Sequence, residues 1–117
     1  MSTTIRFLHH PTSQPCRAVH QFMLEVSIPF EEEIVDILSG ANEQQDFKDK
    51  YNPTGQIPIV CDGDFVIWES AAIAFYLNEK FNAAANWFGA TPQQRAHIQQ
   101  YLHWHSTMLR RGAGAFF

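Results

Sequence analysis

Between Thr3 and Leu8 the apolar residues Ile5 and Phe7 alternate with Arg6, a period that predicts a strand. The run His9-His10-Pro11-Thr12-Ser13-Gln14-Pro15 breaks that alternation with loop formers and ends on a proline suited to a first helical turn. From Cys16 to Val26 the apolar positions become Ala18, Val19, Phe22, Met23 and Val26, the spacing of a helix that lays one face on a sheet. A Ser27-Ile28-Pro29 turn precedes Phe30 to Asp36, read as a second strand with Ile34 and Val35 at its apolar end. The connection is long enough for a right-handed crossover, so the two strands should be parallel neighbours.

Residues 39 to 56 are polar, with Phe47 and Tyr51 at i, i+4 to anchor one short helix. Two β-type runs, Ile57 to Val60 and Phe65 to Trp68, flank Cys61-Asp62-Gly63-Asp64, and an Asp-Gly pair in that setting predicts a hairpin. Glu69-Ser70 then opens a helical pattern from Ala71 to Phe81 on Ala72, Ile73, Tyr76, Leu77 and Phe81, with Ser70 placed to cap it. The order is β-α-β-α-β-β-α. Residues 83 to 90 lack a period and read as a linker between a domain at 1 to 82 and a segment at 91 to 117. Thr91-Pro92 starts a last helix, with Ile98, Tyr101, Leu102, His105, Met108 and Leu109 on one face to about Arg111, before Gly112-Ala113-Gly114 weakens it.

Composition narrows the function classes. The chain has 117 residues, 45% hydrophobic, enough for one folded core, and a formal net charge of -4. Lys and Arg are scattered, with only Arg110-Arg111 adjacent, so no positive face is built for nucleic acid. No apolar run approaches bilayer length, which gives the expectation of a cytoplasmic protein without membrane contact. The two cysteines, Cys16 and Cys61, lack partners at metal spacing and should be free thiols in a reducing compartment. His9-His10 and His103/His105 are pairs at i, i+1 and i, i+2 that do not converge on one face, so no metal is expected.

Several segments together resemble a glutathione transferase of the theta class: Ser13-Gln14-Pro15-Cys16-Arg17-Ala18-Val19, Ile28-Pro29-Phe30-Glu31, Asn52-Pro53 followed by Ile57-Pro58, Asp62-Gly63-Asp64-Phe65, Glu69-Ser70 with Ala72-Ile73, and Tyr101-Leu102 with Trp104 and Leu109-Arg110-Arg111. They run over nearly the whole chain in the family's order. The resemblance implies an α/β, thioredoxin-like fold with a four-stranded mixed sheet, followed by one long helix of a truncated all-helical domain. It further implies an enzyme that binds glutathione as co-substrate and directs its thiolate at a small electrophile.

By resemblance Ser13 donates its hydroxyl to the glutathione sulfur beside a helix N-terminus, favouring the thiolate over a thiol of pKa about 8.5; on position alone Ser13 is equally an N-cap. Glu69 and Ser70, otherwise a helix start, are implied to hold the γ-glutamyl ammonium and carboxylate. Pro58 is implied to follow a cis bond, with the Ile57 backbone facing the cysteinyl part. For the glycyl carboxylate the chain departs from the family: Asn42 stands where a basic or imidazole side chain is usual, with Gln56, Lys48 or Lys50 as partial compensation. Arg110 matches a position toward the electrophile, although a basic pair also suits a helix C-terminus.

Ser13-Gln14-Pro15-Cys16 resembles a CxxC motif whose first cysteine is serine, so Cys16 reads as a packing residue. Two alternatives remain beside the transferase: a non-catalytic interaction module of stress or translation-associated type, and a glutathione-dependent oxidoreductase using Cys16. An apolar face on the last helix gives the expectation of a homodimer or higher homo-oligomer.

Overall fold

A computed structural model describes residues 4–82 and 87–111. The expectations for residues 83–86 and 112–117 therefore lie outside the described residues. The chain forms two compact units, Met1–Ala83 and Ala84–Phe117.

The first unit runs β1 (Ile5–His9), α1 (Gln14–Glu25), β2 (Phe30–Ile34), α2 (Gln45–Lys50), β3 (Ile59–Asp62), β4 (Phe65–Trp68) and α3 (Ser70–Phe81). The four strands form one sheet in the order β2-β1-β3-β4. β1 and β2 are parallel, as the α1 crossover requires, with Phe7 opposite Glu32 and His9 opposite Ile34. β3 is antiparallel to β1, Leu8 facing Ile59, and β4 is antiparallel to β3, Ile59 facing Trp68.

Alternation along β1 divides the core. Ile5, Phe7 and His9 share the face that also receives buried Cys16, Val19, Phe22 and Met23 of α1 and Ile73 and Leu77 of α3. On the other face Leu8, Val35, Ile59 and Cys61 are buried against Ile37, Ala41, Phe47, Tyr51 and Ile57 of the long connection. The polar stretch thus earns its short helix through Phe47 and Tyr51, whose rings lie 5.2 Å apart. Tyr76 of α3 donates a 2.5 Å hydrogen bond to Asp62, which also pairs with Lys80; burial, reinforced by Asp62, pushes the Tyr76 phenol up to about 12.

Boundaries shift where specific chemistry intervenes. β2 stops at Ile34 because Asp36 turns the chain, its carboxylate accepting from the Ser39 N–H. The hairpin strand expected from Ile57 to Val60 instead begins at Ile59, after Pro58, and continues through Asp62, leaving Gly63-Asp64 as a two-residue turn with Gly63 at φ +61. Helix α1 ends in a Schellman arrangement: Ser27 at φ +59, its N–H donating to Leu24 O and the Ile28 N–H to Met23 O. Ser70, expected as a cap, is instead the first helical residue of α3, because Glu69 makes the turn into it.

The second unit contains α4 (Pro92–Trp104), opened by a capping box in which Thr91 and Gln94 exchange side-chain bonds with each other's backbone N–H. The regular helix expected to about Arg111 widens at His105–Leu109 into π geometry, the Arg110 N–H reaching His105 O. Thr107 Oγ1 donates to His103 O at 2.8 Å and so competes with the ordinary ladder. Among the described residues, no helix is long and apolar enough to cross a membrane.

Asn52 is the polar side chain most enclosed by its own loop, 1% exposed. It donates to Gln56 O at 2.9 Å and accepts from the Thr54 N–H and hydroxyl. Asn52→Ala removes the buried amide that ties Thr54 and Gln56 into one loop, and urea denaturation should show a loss of about 1–2 kcal/mol.

Candidate functional site

The strand register gathers three loops at one edge of the sheet. Because Leu8, Ile59 and Trp68 are consecutive partners across β1, β3 and β4, the C-terminal ends of β1 and β4 and the N-terminal end of β3 lie together. The β1 end leads to Ser13, the β3 start follows Ile57-Pro58, and the β4 end leads to Glu69-Ser70. Crevices at such carboxyl ends are where sheets flanked by helices usually receive ligands.

Ser13 caps α1, with φ -83 and ψ 121. Its Oγ accepts from the Cys16 N–H at 3.3 Å, and the hydroxyl proton, which also has the Cys16 sulfur as a neighbour, is a donor that a ligand can compete for. With Gln14 and Pro15 opening the helix, the positive end of the α1 dipole lies at this oxygen. The N-cap and donor roles that position alone could not separate are thus compatible, since they use different parts of one hydroxyl.

The Ile57-Pro58 bond is cis, as the resemblance implied. Ile57 also packs its side chain on the Leu8–Ile59 cluster, so the strand entry is fixed from below. Glu69 takes φ +75 and ψ 116, a conformation costing a non-glycine residue about 1–3 kcal/mol. Its side chain is exposed and makes no capping bond, while its carbonyl accepts from the Ile73 N–H at 2.9 Å. The α3 N-terminus consequently presents first-turn N–H groups and the Ser70 hydroxyl beside an exposed carboxylate.

The glycyl candidates behave differently. Asn42 donates from Nδ2 to Gly55 O at 3.0 Å, and its Oδ1 is buried with no hydrogen-bond partner. That amide therefore clamps the turn at Ala41–Glu43 onto the loop ahead of Pro58. Gly55, at φ +75, makes the close approach possible, since an added Cβ would meet Asn42 O at 2.7 Å. Gln56 has its backbone held by Asn52 and Thr54 while its side chain is exposed. Lys48 is paired with Glu43 at 3.3 Å, and the Lys50 ammonium sits 5.1 Å from the Tyr51 ring centroid. Arg110 belongs to the second unit and is exposed.

Cys16 is fully buried, and burial pushes its thiol up, outweighing the opposing hydrogen bonds from Ser13 and the His10 backbone. A buried, protonated thiol is a poor nucleophile, which disfavours the oxidoreductase alternative. Cys61 is likewise free, buried and shifted up by desolvation. One cluster escaped the sequence reading altogether: His9, His20 and Glu32 converge from β1, α1 and β2. No local motif links these positions, and only the strand register and the helix phase bring them together.

This β-α-β-α-β-β-α unit, with its mixed sheet and a cis-proline at the start of β3, is of the thioredoxin-like class. Residues 4–79 match the family model for the glutathione S-transferase N-terminal domain. The chain is 63% identical over 116 residues to a dichloromethane dehalogenase of Methylophilus leisingeri, covering 99% of this chain and 43% of that protein. Human glutathione S-transferase theta-1 is 42% identical over 99 residues, covering 85% of this chain and 41% of the relative. The structure of human glutathione-S-transferase T1-1 in its apo form superposes with a TM-score of 0.84 at 39% identity, covering 92% of this chain and 44% of that one. The chain belongs to the glutathione S-transferase family, and its relatives include theta-class members. It spans less than half the length of these proteins.

With Cys16 enclosed, alkylation by iodoacetamide should be slow in the native protein and rapid in urea. Because the folded-state value lies above the unfolded one, the neutral thiol adds stability below the unfolded pKa. That contribution is lost as pH rises toward the folded value, so Cys16→Ala should lessen alkaline destabilisation in melts at rising pH.

Proposed function

We propose that the chain binds glutathione along this sheet edge and that Ser13 stabilises the bound thiolate for attack on a small electrophile. The observation that carries the reading is the position of the Ser13 hydroxyl, which caps α1 by accepting from the Cys16 N–H and so stands at a helix N-terminus with a proton it can turn from the Cys16 sulfur to a ligand. A sulfur held there gains one charge-assisted hydrogen bond and the helix field, both stronger for thiolate than for thiol. Ser70 and the first-turn N–H groups of α3 receive the γ-glutamyl carboxylate, Glu69 its ammonium group, and the backbone of Ile57, ahead of Pro58, the cysteinyl peptide. Gln56 reaches the glycyl carboxylate, with Asn42 shaping the loop behind it.

A halogenated methane is the electrophile class the reading favours, supported by 63% identity to a dichloromethane dehalogenase. In that step the glutathione sulfur forms a bond to carbon while the carbon–halogen pair departs as halide. Arg110 is assigned to the electrophile side by family resemblance. Tyr101, Trp104, Met108 and Leu109 are exposed on the second unit, which supports a homo-oligomer; light scattering should then give more than the mass of one chain.

Glutathione added near neutral pH should produce thiolate absorption in an ultraviolet difference spectrum. Ser13→Ala should abolish that signal and, in a competent enzyme, lower turnover by about 100-fold. Ser70→Ala should weaken glutathione binding itself. A thiolate signal that survives in Ser13→Ala would sink the assignment.

A further inference from the structure

The cluster of His9, His20 and Glu32 lies outside the set of residues assigned to glutathione. His9 is the last residue of β1 and only 3% exposed, His20 sits midway along α1, and Glu32 is the central residue of β2. The register places Glu32 opposite Phe7, which puts its side chain on the same sheet face as Phe7 and His9, beneath α1. Glu32 Oε1 is 3.1 Å from His9 Nε2 and 3.5 Å from His20 Nε2. One donor atom from each of the three residues lies within 4.8 Å of the other two.

We propose that His9, His20 and Glu32 form a binding site for a zinc-class divalent cation that ties β1, β2 and α1 together. In a tetrahedral site with metal–ligand bonds of about 2.0–2.2 Å, neighbouring donor atoms stand roughly 3.3–3.6 Å apart. The Glu32–His20 distance of 3.5 Å falls in that range, and the Glu32–His9 distance of 3.1 Å is a few tenths of an ångström short of it. Two imidazoles and one carboxylate form a donor set suited to zinc and its neighbours rather than to magnesium or calcium, which favour oxygen alone.

The rings are oriented before any ion arrives. His9 stacks on Phe7 with centroids 4.3 Å apart and planes 7° from parallel. His20 meets Phe7 edge-on at 5.7 Å and Phe30 at 5.4 Å. This aromatic frame holds both Nε2 atoms toward one carboxylate oxygen, so little side-chain freedom is lost on binding. The side chains of His20 and Glu32 are 31% and 49% exposed, which leaves a way in and room for water as a fourth ligand. A simple hydrogen-bonded trio is the competing account: each imidazole then donates to Glu32, and no ion is needed.

The two accounts separate when zinc sulfate is titrated into the chelator-treated 117-residue chain by calorimetry, with cobalt(II) as a spectroscopic probe. A metal site predicts one saturable ion per chain, visible bands of four-coordinate cobalt, and a zinc-dependent rise in melting temperature. Glu32→Gln and His20→Asn, both at part-exposed positions, should each weaken binding by at least about tenfold and remove the cobalt bands. Glu31→Gln on the same strand and His103→Asn on α4 should leave binding unchanged. No saturable binding by the unaltered chain, or binding indifferent to Glu32→Gln and His20→Asn, would overturn the proposal.

Discussion

Everything that positions the site depends on β1 being enclosed on both edges and both faces. Its neighbours β2 and β3 take up its backbone groups, and Ile5, Phe7, Leu8 and His9 are all buried. A slip of one residue would send Phe7 to the face of the long connection and Leu8 under α1, exchanging two cores that are not equivalent. The same register sets where β1 ends relative to the start of β3 and the end of β4. A packing constraint in the middle of the sheet thus decides that Ser13, Pro58 and Glu69 share one edge.

The site has two kinds of residue. Ser13 and Ser70 sit at helix starts, where first-turn N–H groups are open to a ligand in the proposed reading. Asn42, Asn52 and Gly55 instead spend their hydrogen bonds or their lack of a side chain inside the protein, holding the connection that delivers Ile57 and Pro58. Glu69 combines the two roles, since its unusual backbone turns β4 into α3 while its carboxylate is exposed.

Much of this was legible in the chain because it rests on local periodicity or local chemistry. The α1 face, the Asp-Gly hairpin and the Thr91-Pro92 start all follow from neighbours a few residues apart. The cis bond before Pro58 came from a family resemblance rather than from hydropathy. Three things were hidden. The entry into α3 was misplaced by one residue because a glutamate at positive φ has no propensity signature. The π segment after Trp104 depends on a Thr107 hydroxyl that could as well have faced solvent. The convergence of His9 with His20 and Glu32 is a product of tertiary register, invisible to a scan that looks at adjacent histidines.

The strand β2 closes one side of the sheet with the sequence Phe-Glu-Glu-Glu-Ile, and its last four residues are exposed. Its outer rim is a row of backbone groups open to pairing with a foreign strand; Glu33 pairs with Arg6 and Glu32 faces His9 and His20, so Glu31 is the glutamate that sets its charge against a second copy of the same segment. That protection is electrostatic, so salt screens it. Where counter-ions are dense, the rim of β2 is left with backbone groups alone to decide what pairs with it, and a second copy of the same strand meets less opposition.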